Sequence, residues 1–210
     1  MPFYRDFIYP RLVDVLGDPP PIRAIRGQII PLAEGTVLEI GVGSGANFPH
    51  YNATRVNKLY ALEPNSGMIQ LAAAKASQTK LNIEFIDLPG ERIPLDAGTV
   101  DTVVSTFTLC TIPGIRDAIQ GIARVLKPQG KLVLFELGLS PDPAVQKWQW
   151  LLEPIQQWLF QGLYLTRDIP ALLKEGGFQI KQIEQGYLAD FPKSLTYCWW
   201  GSAVLPSQSE

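Results

Sequence analysis

Hydrophobic residues along the middle of the chain fall into two kinds of segment that alternate. One kind is a short run of β-branched and apolar residues bounded by Gly, Pro or Asn, which is typical of a buried parallel strand. Five segments have this form: VLEIG, KLYALEP, IEFIDL, VDTVVS and GKLVLFEL. The other kind, GMIQLAAAKAS and GIRDAIQGIARVL, repeats apolar residues at helical spacing. The alternation predicts an open α/β sheet with helices on both faces.

The two ends of the chain depart from this alternation. Residues 3–16 and 22–30 have helical patterns on either side of the Pro-rich stretch GDPPP. A Trp-rich amphipathic helix is predicted over residues 143–161, and a short helix over residues 169–175. The last two runs, FQIKQIEQGYL and SLTYCWWGSAVL, are predicted to be strands, and their closeness permits antiparallel pairing. No internal repeat divides the chain, so we expect a single domain over residues 1–210.

Composition excludes several classes of function. With 46% hydrophobic and 18% charged residues, the 210-residue chain can bury a sizeable core. The formal net charge of −2 supplies no positive field for a polyanion, so no nucleic acid partner is expected. Cys110 and Cys198 are too few for a disulfide framework, and without a CxxC pair no metal site is predicted. Arg5 and Asp6 interrupt the apolar stretch that a signal peptide needs, which favours a cytoplasmic location.

The segment VLEIGVGSGANFPHY joins a predicted strand to a glycine-rich turn and a polar helix start. Glycine tolerates positive φ and has no Cβ, so such a turn lets a nucleotide-like ligand approach bare backbone. The pattern is ExGxGxG, at Glu39, Gly41, Gly43 and Gly45, instead of the GxGxxG of dinucleotide sites. A turn that only packs tightly, without a ligand, is the alternative.

Two carboxylates narrow the class of ligand. Glu39 beside the loop opposes a pyrophosphate but attracts an ammonium group. Glu63 ends the second predicted strand about twenty residues later, where a carboxylate accepts hydrogen bonds from ribose hydroxyls. A nucleoside that carries an amino acid satisfies both groups, which indicates S-adenosylmethionine. For Glu63 the alternative is a solvated carboxylate at a strand end.

The chain resembles the class I S-adenosylmethionine-dependent methyltransferases, most closely the group that includes small thiol S-methyltransferases, quinone C-methyltransferases and bacterial phospholipid N-methyltransferases. The resemblance covers nearly the whole chain and rests on five blocks in the family's order. They are VLEIGVGSGANFPHY, LYALEPNSGM, PGERIPLDAGTVDTVVSTFTLCTIP, IARVLKPQGKLVLFE, and WQWLLEPIQQWLFQGLYLTRDI followed by GGF. It implies a Rossmann-like seven-stranded, mostly parallel sheet in the order 3-2-1-4-5-7-6, with a C-terminal antiparallel hairpin.

The resemblance also implies a binding set for S-adenosyl-L-methionine. The glycine loop and Glu39 would lie along the methionine moiety, and Glu63 would bind the ribose hydroxyls. Gly90 and Glu91 would border the adenine, and the end of the fourth strand would face the sulfonium. The full set is Glu39, Gly41, Gly43, Gly45, Asn47, Glu63, Met68, Gly90, Glu91, Thr106 and Leu109.

The acceptor side departs from the family pattern. Close relatives often have histidines where this chain has Leu137, after Glu136, and Tyr164, before Leu-Thr-Arg. Without those imidazoles, the sequence favours a sulfur or nitrogen acceptor, which reacts without a dedicated base. We expect a small lipophilic or lipid-like acceptor and assign no catalytic base. The candidates for orienting it are Tyr4, Tyr164, Arg167, Asp168 and His50, the last being the sole histidine.

Three interpretations of the Trp-rich helix stay open. An apolar stripe at helical spacing usually packs on the core, but it could also form a substrate lid or make peripheral contact with a membrane. The stripe consists of Trp148, Leu151, Leu152, Ile155, Trp158, Leu159 and Gly162. By the resemblance, residues 1–30 form a helical lid over the cofactor, with a peripheral helix as the alternative. Residues 141–177 form a helical insertion that contributes to the acceptor pocket.

The preferred prediction is therefore a monomeric enzyme that moves a methyl group from S-adenosylmethionine to sulfur or nitrogen. A non-catalytic protein that binds S-adenosylmethionine is the first alternative. An NAD-dependent dehydrogenase is a distant second, because Glu39 and the GxGxG spacing do not suit a dinucleotide.

Overall fold

The computed structural model describes residues 8–160 and 162–206, and its centre is a seven-stranded sheet. The strands are β1 (Gly35–Ile40), β2 (Val56–Leu62), β3 (Ile83–Ile86), β4 (Val100–Thr106), β5 (Leu126–Leu137), β6 (Gln179–Tyr187) and β7 (Tyr197–Val204). Their order is β3-β2-β1-β4-β5-β7-β6. Strands β1 to β5 pair in parallel, whereas β7 is antiparallel to both β5 and β6. The predicted order and C-terminal hairpin are confirmed.

Helices cover both faces of the sheet. They are α1 (Tyr9–Leu16), α2 (Pro20–Ile29), α3 (Ser66–Ala76), α4 (Ile115–Val125), α5 (Pro143–Leu159), α6 (Ile169–Glu175) and α7 (Lys193–Thr196). Side-chain oxygens of Asn65, Asp142 and Asp168 cap α3, α5 and α6, which satisfies amide groups that a helix start leaves free. Among the described residues, no helix is long and apolar enough to cross a membrane.

The central strands are buried on both faces, as their continuous apolar runs predict. Adjacent residues of one strand point into different core layers: Leu38 and Leu134 belong to the layer that contains α4 and α6 residues, Val37 and Val133 to the layer that contains α2 residues. Because both faces are covered, a polar binding site has room only at an end of the sheet.

The orientation of α5 contradicts one of the three interpretations of its apolar stripe, namely that the stripe packs on the core. Trp148, Leu151 and Ile155 are 58%, 66% and 60% exposed, whereas Gln149 and Gln156 are buried. The core interpretation of the stripe is therefore wrong. A periodic pattern predicts that a helix has an apolar and a polar face. Here the polar side packs inward, because the side-chain amide of Gln149 is hydrogen-bonded to backbone groups that precede α5. We call Trp148, Leu151, Ile155, Trp158 and Leu159 the α5 apolar face; Trp150 is also exposed but lies on another side of the helix.

Smaller differences occur at element ends. Residues 194–196, predicted to be the start of the last strand, form part of α7 instead. The helix predicted over residues 3–16 is α1 from Tyr9 onward, and its first residues lie outside the described ranges.

Candidate cofactor site

A cavity of about 610 Å³ opens at the carboxyl ends of β1, β2 and β4. The order of strands reverses between β1 and β4, and a parallel sheet leaves a crevice at such a point. The loops after these strands line the cavity, and α1 and α2 border it through Tyr9, Val13 and Arg26. Its volume lies within the range of small-molecule sites.

The three glycines of the loop after β1 serve two purposes: close packing against other side chains, and open space beside the cavity. Gly41, Gly43 and Gly45 have φ of 64°, 54° and 77°, which favours glycine at each position. A Cβ at Gly41 would collide with the Thr108 side chain, and one at Gly45 would lie 2.7 Å from the Phe48 ring. A Cβ at Gly43 would meet nothing closer than 4.0 Å, although Gly43 borders the cavity. Tight packing thus explains two of the glycines, and the third leaves open space on the ligand side.

Glu63 follows β2 and stands beside the glycine loop. Its side chain is only 8% exposed and borders the cavity, which argues against a solvated carboxylate. Oε2 accepts a hydrogen bond from Gly43 N at 3.0 Å, and Oε1 accepts one from Asn65 N at 3.0 Å. Burial raises the pKa of Glu63, and these two backbone bonds oppose the rise. Each carboxylate oxygen keeps further acceptor capacity, which two vicinal hydroxyls would satisfy.

The part of the cavity beyond Glu63 is bordered by Met68, Gly90 and Glu91. A Cβ on Gly90 would lie 2.5 Å from the Ile112 side chain, so the backbone at Gly90 packs closely against Ile112 at the cavity wall. Glu91 Oε1 accepts a hydrogen bond from Gly114 N at 3.1 Å, just before α4 begins. An apolar slot with one carboxylate at its edge suits a flat heteroaromatic ring that carries an amine.

Glu39 and Asn47 do not line the cavity but lie behind its wall. Glu39 is 1% exposed, and its two oxygens accept hydrogen bonds from Asn47 Nδ2 and Tyr51 Oη, both at 2.8 Å. Burial raises the pKa of Glu39 to about 7 despite these bonds. Arg26 of α2 is the member of this cluster that borders the cavity, and its Nη1 donates to Asn47 Oδ1 at 2.5 Å and to Thr106 Oγ1 at 3.0 Å. A contact between Glu39 and the cofactor ammonium stays a prediction.

The loop after β4 is held by Glu136, a fully buried carboxylate of β5. Its Oε1 accepts hydrogen bonds from Ser105 Oγ at 2.6 Å and from the backbone amides of Thr108 and Leu109 at 3.1 Å. Its Oε2 accepts one from Cys110 N at 3.1 Å. Burial raises the pKa of Glu136. Leu109 points into the core as a result, and its predicted role at the sulfonium stays a prediction.

Phe107 begins this loop with a strained backbone. Its φ of 53° is rare outside glycine, and such positions concentrate at functional sites. The Phe107 ring borders the cavity, packs on Phe135 at 4.4 Å between centroids, and lies 5.6 Å from Arg26 Cζ. Phe107 therefore connects the cavity wall to the core. No feature of the sequence distinguishes it from other apolar residues.

The residues predicted to orient an acceptor do not converge on the cavity. Arg167 Nη1 donates to Leu109 O at 2.5 Å, and its Cζ lies 3.9 Å from the centroid of the Tyr164 ring. Asp168 caps α6 by accepting a hydrogen bond from Ala171 N at 3.0 Å. Each of these three predicted residues thus has a structural partner, and none of them borders the cavity.

Of the two remaining candidates, one does not line the cavity and the other lies outside the described residues. His50 is partly buried, which lowers its pKa, and it does not line the cavity although Pro49 does. Tyr4 lies outside the described residues. Orientation of the acceptor by any of the five candidates stays a prediction.

Five charged residues that the sequence did not indicate also line the cavity: Asp14, Asp18, Arg23, Arg26 and Lys75. Arg26 repeats with Ile22 and Ile29 on the buried side of α2, so a charge on an apolar stripe was the available signal. Asp14 of α1 receives a hydrogen bond from Lys75 Nζ of α3 at 2.5 Å, which ties α1 across the glycine loop. That pair joins residues far apart in sequence, and no local pattern indicates it.

The residues of the cavity fit S-adenosylmethionine. Gly43 offers bare backbone with open space beside it, Glu63 offers a buried carboxylate with spare acceptor capacity, and Arg26 offers a guanidinium. A nucleoside joined to an amino acid carries the complementary groups: ribose hydroxyls, an aliphatic chain and a carboxylate.

Comparisons with known proteins agree with this fit. The family described as "Methyltransferase domain" matches residues 38–134, which run from β1 into β5. Thiol S-methyltransferase TMT1B of Rattus norvegicus is 34% identical over 155 residues, which cover 72% of this chain and 63% of the rat protein. Thiol S-methyltransferase TMT1B of Homo sapiens is 34% identical over 166 residues, which cover 77% of this chain and 67% of the human protein. The chain therefore spans about two thirds of the length of these relatives.

The fold recurs in solved structures. A SAM-dependent methyltransferase from Aquifex aeolicus aligns with a TM-score of 0.61 and 21% identity, covering 92% of this chain and 97% of that one. The sheet order, the glycine loop and the identity to the two thiol S-methyltransferases lead to one conclusion. The chain belongs to the class I S-adenosylmethionine-dependent methyltransferases.

Proposed function

We propose that this protein transfers a methyl group from S-adenosylmethionine to the sulfur of a small lipophilic acceptor. The observation that carries the proposal is the pairing of Gly43 and Glu63. The glycine leaves open space at the cavity wall, and the carboxylate beside it is held by the glycine's own amide at 3.0 Å. A loop that only closed a turn would need neither the space nor the buried carboxylate.

In this proposal, residues that follow different strands of the sheet bind different parts of the cofactor. Glu63 after β2 would accept hydrogen bonds from the ribose hydroxyls, and Met68, Gly90 and Glu91, which line the cavity beyond it, would border the adenine. The glycine loop after β1 lies along the aliphatic chain. Thr106 at the end of β4 marks the side of the cavity where the sulfonium would lie.

The acceptor side supplies enclosure and orientation. A bound S-adenosylmethionine carries a methyl group already activated by its positive sulfur. The residues of the chain then have to hold a nucleophile in line with that methyl group and keep water out. None of the described residues that line the cavity is a histidine. A thiol suits such a site because a few per cent of it is thiolate at neutral pH, and thiolate is strongly nucleophilic.

Residues of α1 and the end of α5 border the cavity, and we infer that they admit the acceptor. Tyr9, Val13 and Val15 of α1 and Phe160 at the end of α5 all line it. This supports the lid predicted for residues 1–30 and the acceptor role predicted for residues 141–177. The two mammalian relatives are thiol S-methyltransferases, which favours sulfur over nitrogen in the acceptor.

The α5 apolar face supports peripheral contact with a membrane as the route of a lipophilic acceptor. Two exposed tryptophans, Trp148 and Trp158, lie on it, and Trp is stable at the boundary between apolar and aqueous phases. Lys147 is its one charged neighbour on the exposed side of the helix. Phe160, which directly follows α5, is exposed and lines the cavity, and Ile8, Leu12 and Val15 of the α1 region are exposed as well. A bilayer surface would cover these side chains and deliver its solutes to the cavity.

Calorimetric titration and a methylation assay test the proposal. We expect S-adenosylmethionine and S-adenosylhomocysteine to bind and NAD not to bind. Glu63→Gln should weaken both affinities about 10–100-fold, because hydrogen bonds to a charged acceptor are lost. Glu84→Gln on β3, an exposed carboxylate paired with Lys58, is the matched control and should leave binding unchanged.

Turnover is then followed with a labelled methyl group, an aliphatic thiol and the amine of the same chain length. Methylation of the thiol is expected. Binding without turnover on either acceptor would favour the non-catalytic alternative, and methylation of the amine alone would exclude sulfur as the acceptor atom. Binding of NAD alone would overturn the assignment of the cofactor.

A further inference from the structure

Gln156 of α5 carries a buried amide for which the described part of the chain provides no hydrogen bond. The residue is 4% exposed, and neither Nε2 nor Oε1 has a partner within residues 8–160 and 162–206. Other buried side chains in those ranges lack a partner at a single atom, whereas Gln156 leaves both a donor and an acceptor unbonded. Burying an amide in this way is costly, so a feature outside the apo chain is needed to explain it.

Gln149 shows that an inward-facing amide on this helix can be satisfied. Its Nε2 donates to Gly138 O, and its Oε1 accepts from Ser140 N, both at 3.0 Å. Gln156 follows seven positions later, which is about two helical turns, so the two side chains point to the same side of α5. The amide of Gln156 therefore faces inward as that of Gln149 does, but without a polar partner in the described ranges.

Phe160 locates this amide beside the cavity. Phe160 N donates to Gln156 O at 2.8 Å, so helical geometry extends to the residue that follows α5. Residues four positions apart are neighbours on one side of a helix, with Cβ atoms about 5–6 Å apart. Phe160 lines the cavity, whereas Gln156 does not. A ligand in the cavity thus reaches the Gln156 amide by extending past Phe160 toward α5.

The end of α5 lies at the β4 side of the cavity. Gly162 packs against the loop after β4, because a Cβ on Gly162 would lie 3.2 Å from Thr111 O. Thr111 lines the cavity, as does Thr106 at the end of β4, which marks the side of the sulfonium in the proposed function. Gln156 is therefore near the part of the cavity where the acceptor would react, and the adenine would lie at the β2 side.

We propose that Gln156 binds a polar group of the methyl acceptor and thereby selects lipophilic thiols that carry an amide. The inference rests on the proposed function. Nε2 donates and Oε1 accepts, which complements the C=O and N–H of an amide. A hydrocarbon thiol would leave the glutamine unpaired, and a site built to hydrogen-bond its substrate discriminates against an analogue without the polar group. Gln156 determines specificity and takes no part in the transfer of the methyl group.

Two thiols of one shape and two proteins isolate this contact. The thiols are N-acetylcysteamine and isohexyl thiol, in which apolar carbons replace the amide. With saturating S-adenosylmethionine, we expect the wild-type kcat/KM to be at least about tenfold higher for N-acetylcysteamine. In Gln156→Met the ratio of the two kcat/KM values should fall at least about tenfold, because only the amide thiol loses hydrogen bonds. The intrinsic reactivities of the thiols cancel when the two ratios are compared.

Controls keep the outcome interpretable. Gln157→Met should retain the wild-type ratio, because Gln157 Nε2 donates to Glu153 Oε1 at 3.3 Å on another side of α5. Calorimetric titration with S-adenosylhomocysteine should give the same affinity for all proteins, which shows that each folds with an intact cofactor site. If Gln156→Met does not fold, Gln156→Asn replaces it. That variant keeps the amide on a shorter side chain and should give an intermediate ratio, and an unchanged ratio would contradict the inference.

The results separate this inference from the function on which it rests. If the wild-type protein methylates neither thiol, the proposed function fails and the inference fails with it. If it methylates thiols and the ratio is the same in Gln156→Met, the function stands and the role of Gln156 is overturned. An equal loss of kcat/KM for both thiols in Gln156→Met would likewise reduce Gln156 to a structural residue.

Discussion

Glu39 has a folded-state pKa that couples its buried carboxyl to the stability of the protein. Burial raises this pKa from 4.5 to about 7, and the hydrogen bonds from Asn47 and Tyr51 only partly oppose it. Between those two values the folded state binds more protons than the unfolded state. The free energy of unfolding therefore falls as pH rises from about 4.5 to about 7, and this contribution is constant above that range.

Glu39→Gln, which cannot ionise, should remove this dependence. Relative to the variant, the wild-type protein should lose up to about 3 kcal/mol of unfolding free energy between pH 4.5 and pH 8. Urea denaturation of both proteins without cofactor measures the difference at each pH, and other ionising groups cancel in it. Parallel curves across the range would mean that Glu39 titrates as an ordinary carboxyl.

Helix α5 shows how one element can face inward with glutamines and outward with tryptophans. Gln149 Nε2 donates to Gly138 O at 3.0 Å, and its Oε1 accepts from Ser140 N at 3.0 Å. Both polar atoms of Gln156 are buried without a hydrogen bond among the described residues. Gln149 and Gln156 lie seven positions apart on α5. The side-chain amide of Gln149 is thus hydrogen-bonded, whereas that of Gln156 is not hydrogen-bonded to any described residue.

Substitution of each glutamine by methionine, which keeps the length of the side chain but removes the amide, should change the free energy of unfolding in opposite directions. Gln149→Met leaves a buried N–H and a buried C=O unpaired and should lower the free energy of unfolding by about 2–4 kcal/mol. Gln156→Met removes two unpaired polar atoms and should be neutral or raise it by about 1 kcal/mol. Chemical denaturation compares the pair. Equal losses would indicate that Gln156 has a partner, such as ordered water.

At the scale of the whole molecule, the cavity borders the end of the helix that carries the α5 apolar face. Phe160 lines the cavity and directly follows Leu159, the last residue of α5. Contiguous exposed apolar surface on a protein marks contact with a partner or a membrane. Under the proposed function, a bilayer against this face would give a lipophilic acceptor a short path to the methyl donor.

Flotation with phospholipid vesicles tests that arrangement. We expect the full chain to float with phosphatidylcholine and phosphatidylglycerol vesicles, and Leu151→Gln with Trp158→Gln to reduce the bound fraction at least about tenfold, because two apolar side chains no longer leave water. Leu32→Gln is the control. Leu32 is also an exposed apolar residue, but it precedes the amino end of β1, whereas the cavity lies at the carboxyl end of that strand. Absence of flotation by the wild-type protein would exclude the bilayer as the occupant of the face.

The fold and half of the site could be predicted from local patterns. Strand runs and glycine spacing record backbone geometry, so the strands, Gly43 and Glu63 were accessible to sequence reasoning, whereas the sheet order was implied by the family resemblance. Arg26 was not, because its importance depends on where α2 packs against the ends of β1 and β4. The inward face of α5 was not either, since hydrogen bonds of Gln149 to backbone groups override the usual preference for burying tryptophan.

Glu136 has a consequence for the energetics of binding. One carboxylate inside the protein gathers Ser105 Oγ and three successive backbone amides, so the wall after β4 is ordered around an anion that the chain itself supplies. Loops that wait for a ligand lose conformational entropy when it arrives, and that loss weakens association. Here the loss occurs during folding. The cofactor therefore meets a rigid surface on this side, and the entropy change of its association should come from the α1 side of the cavity instead.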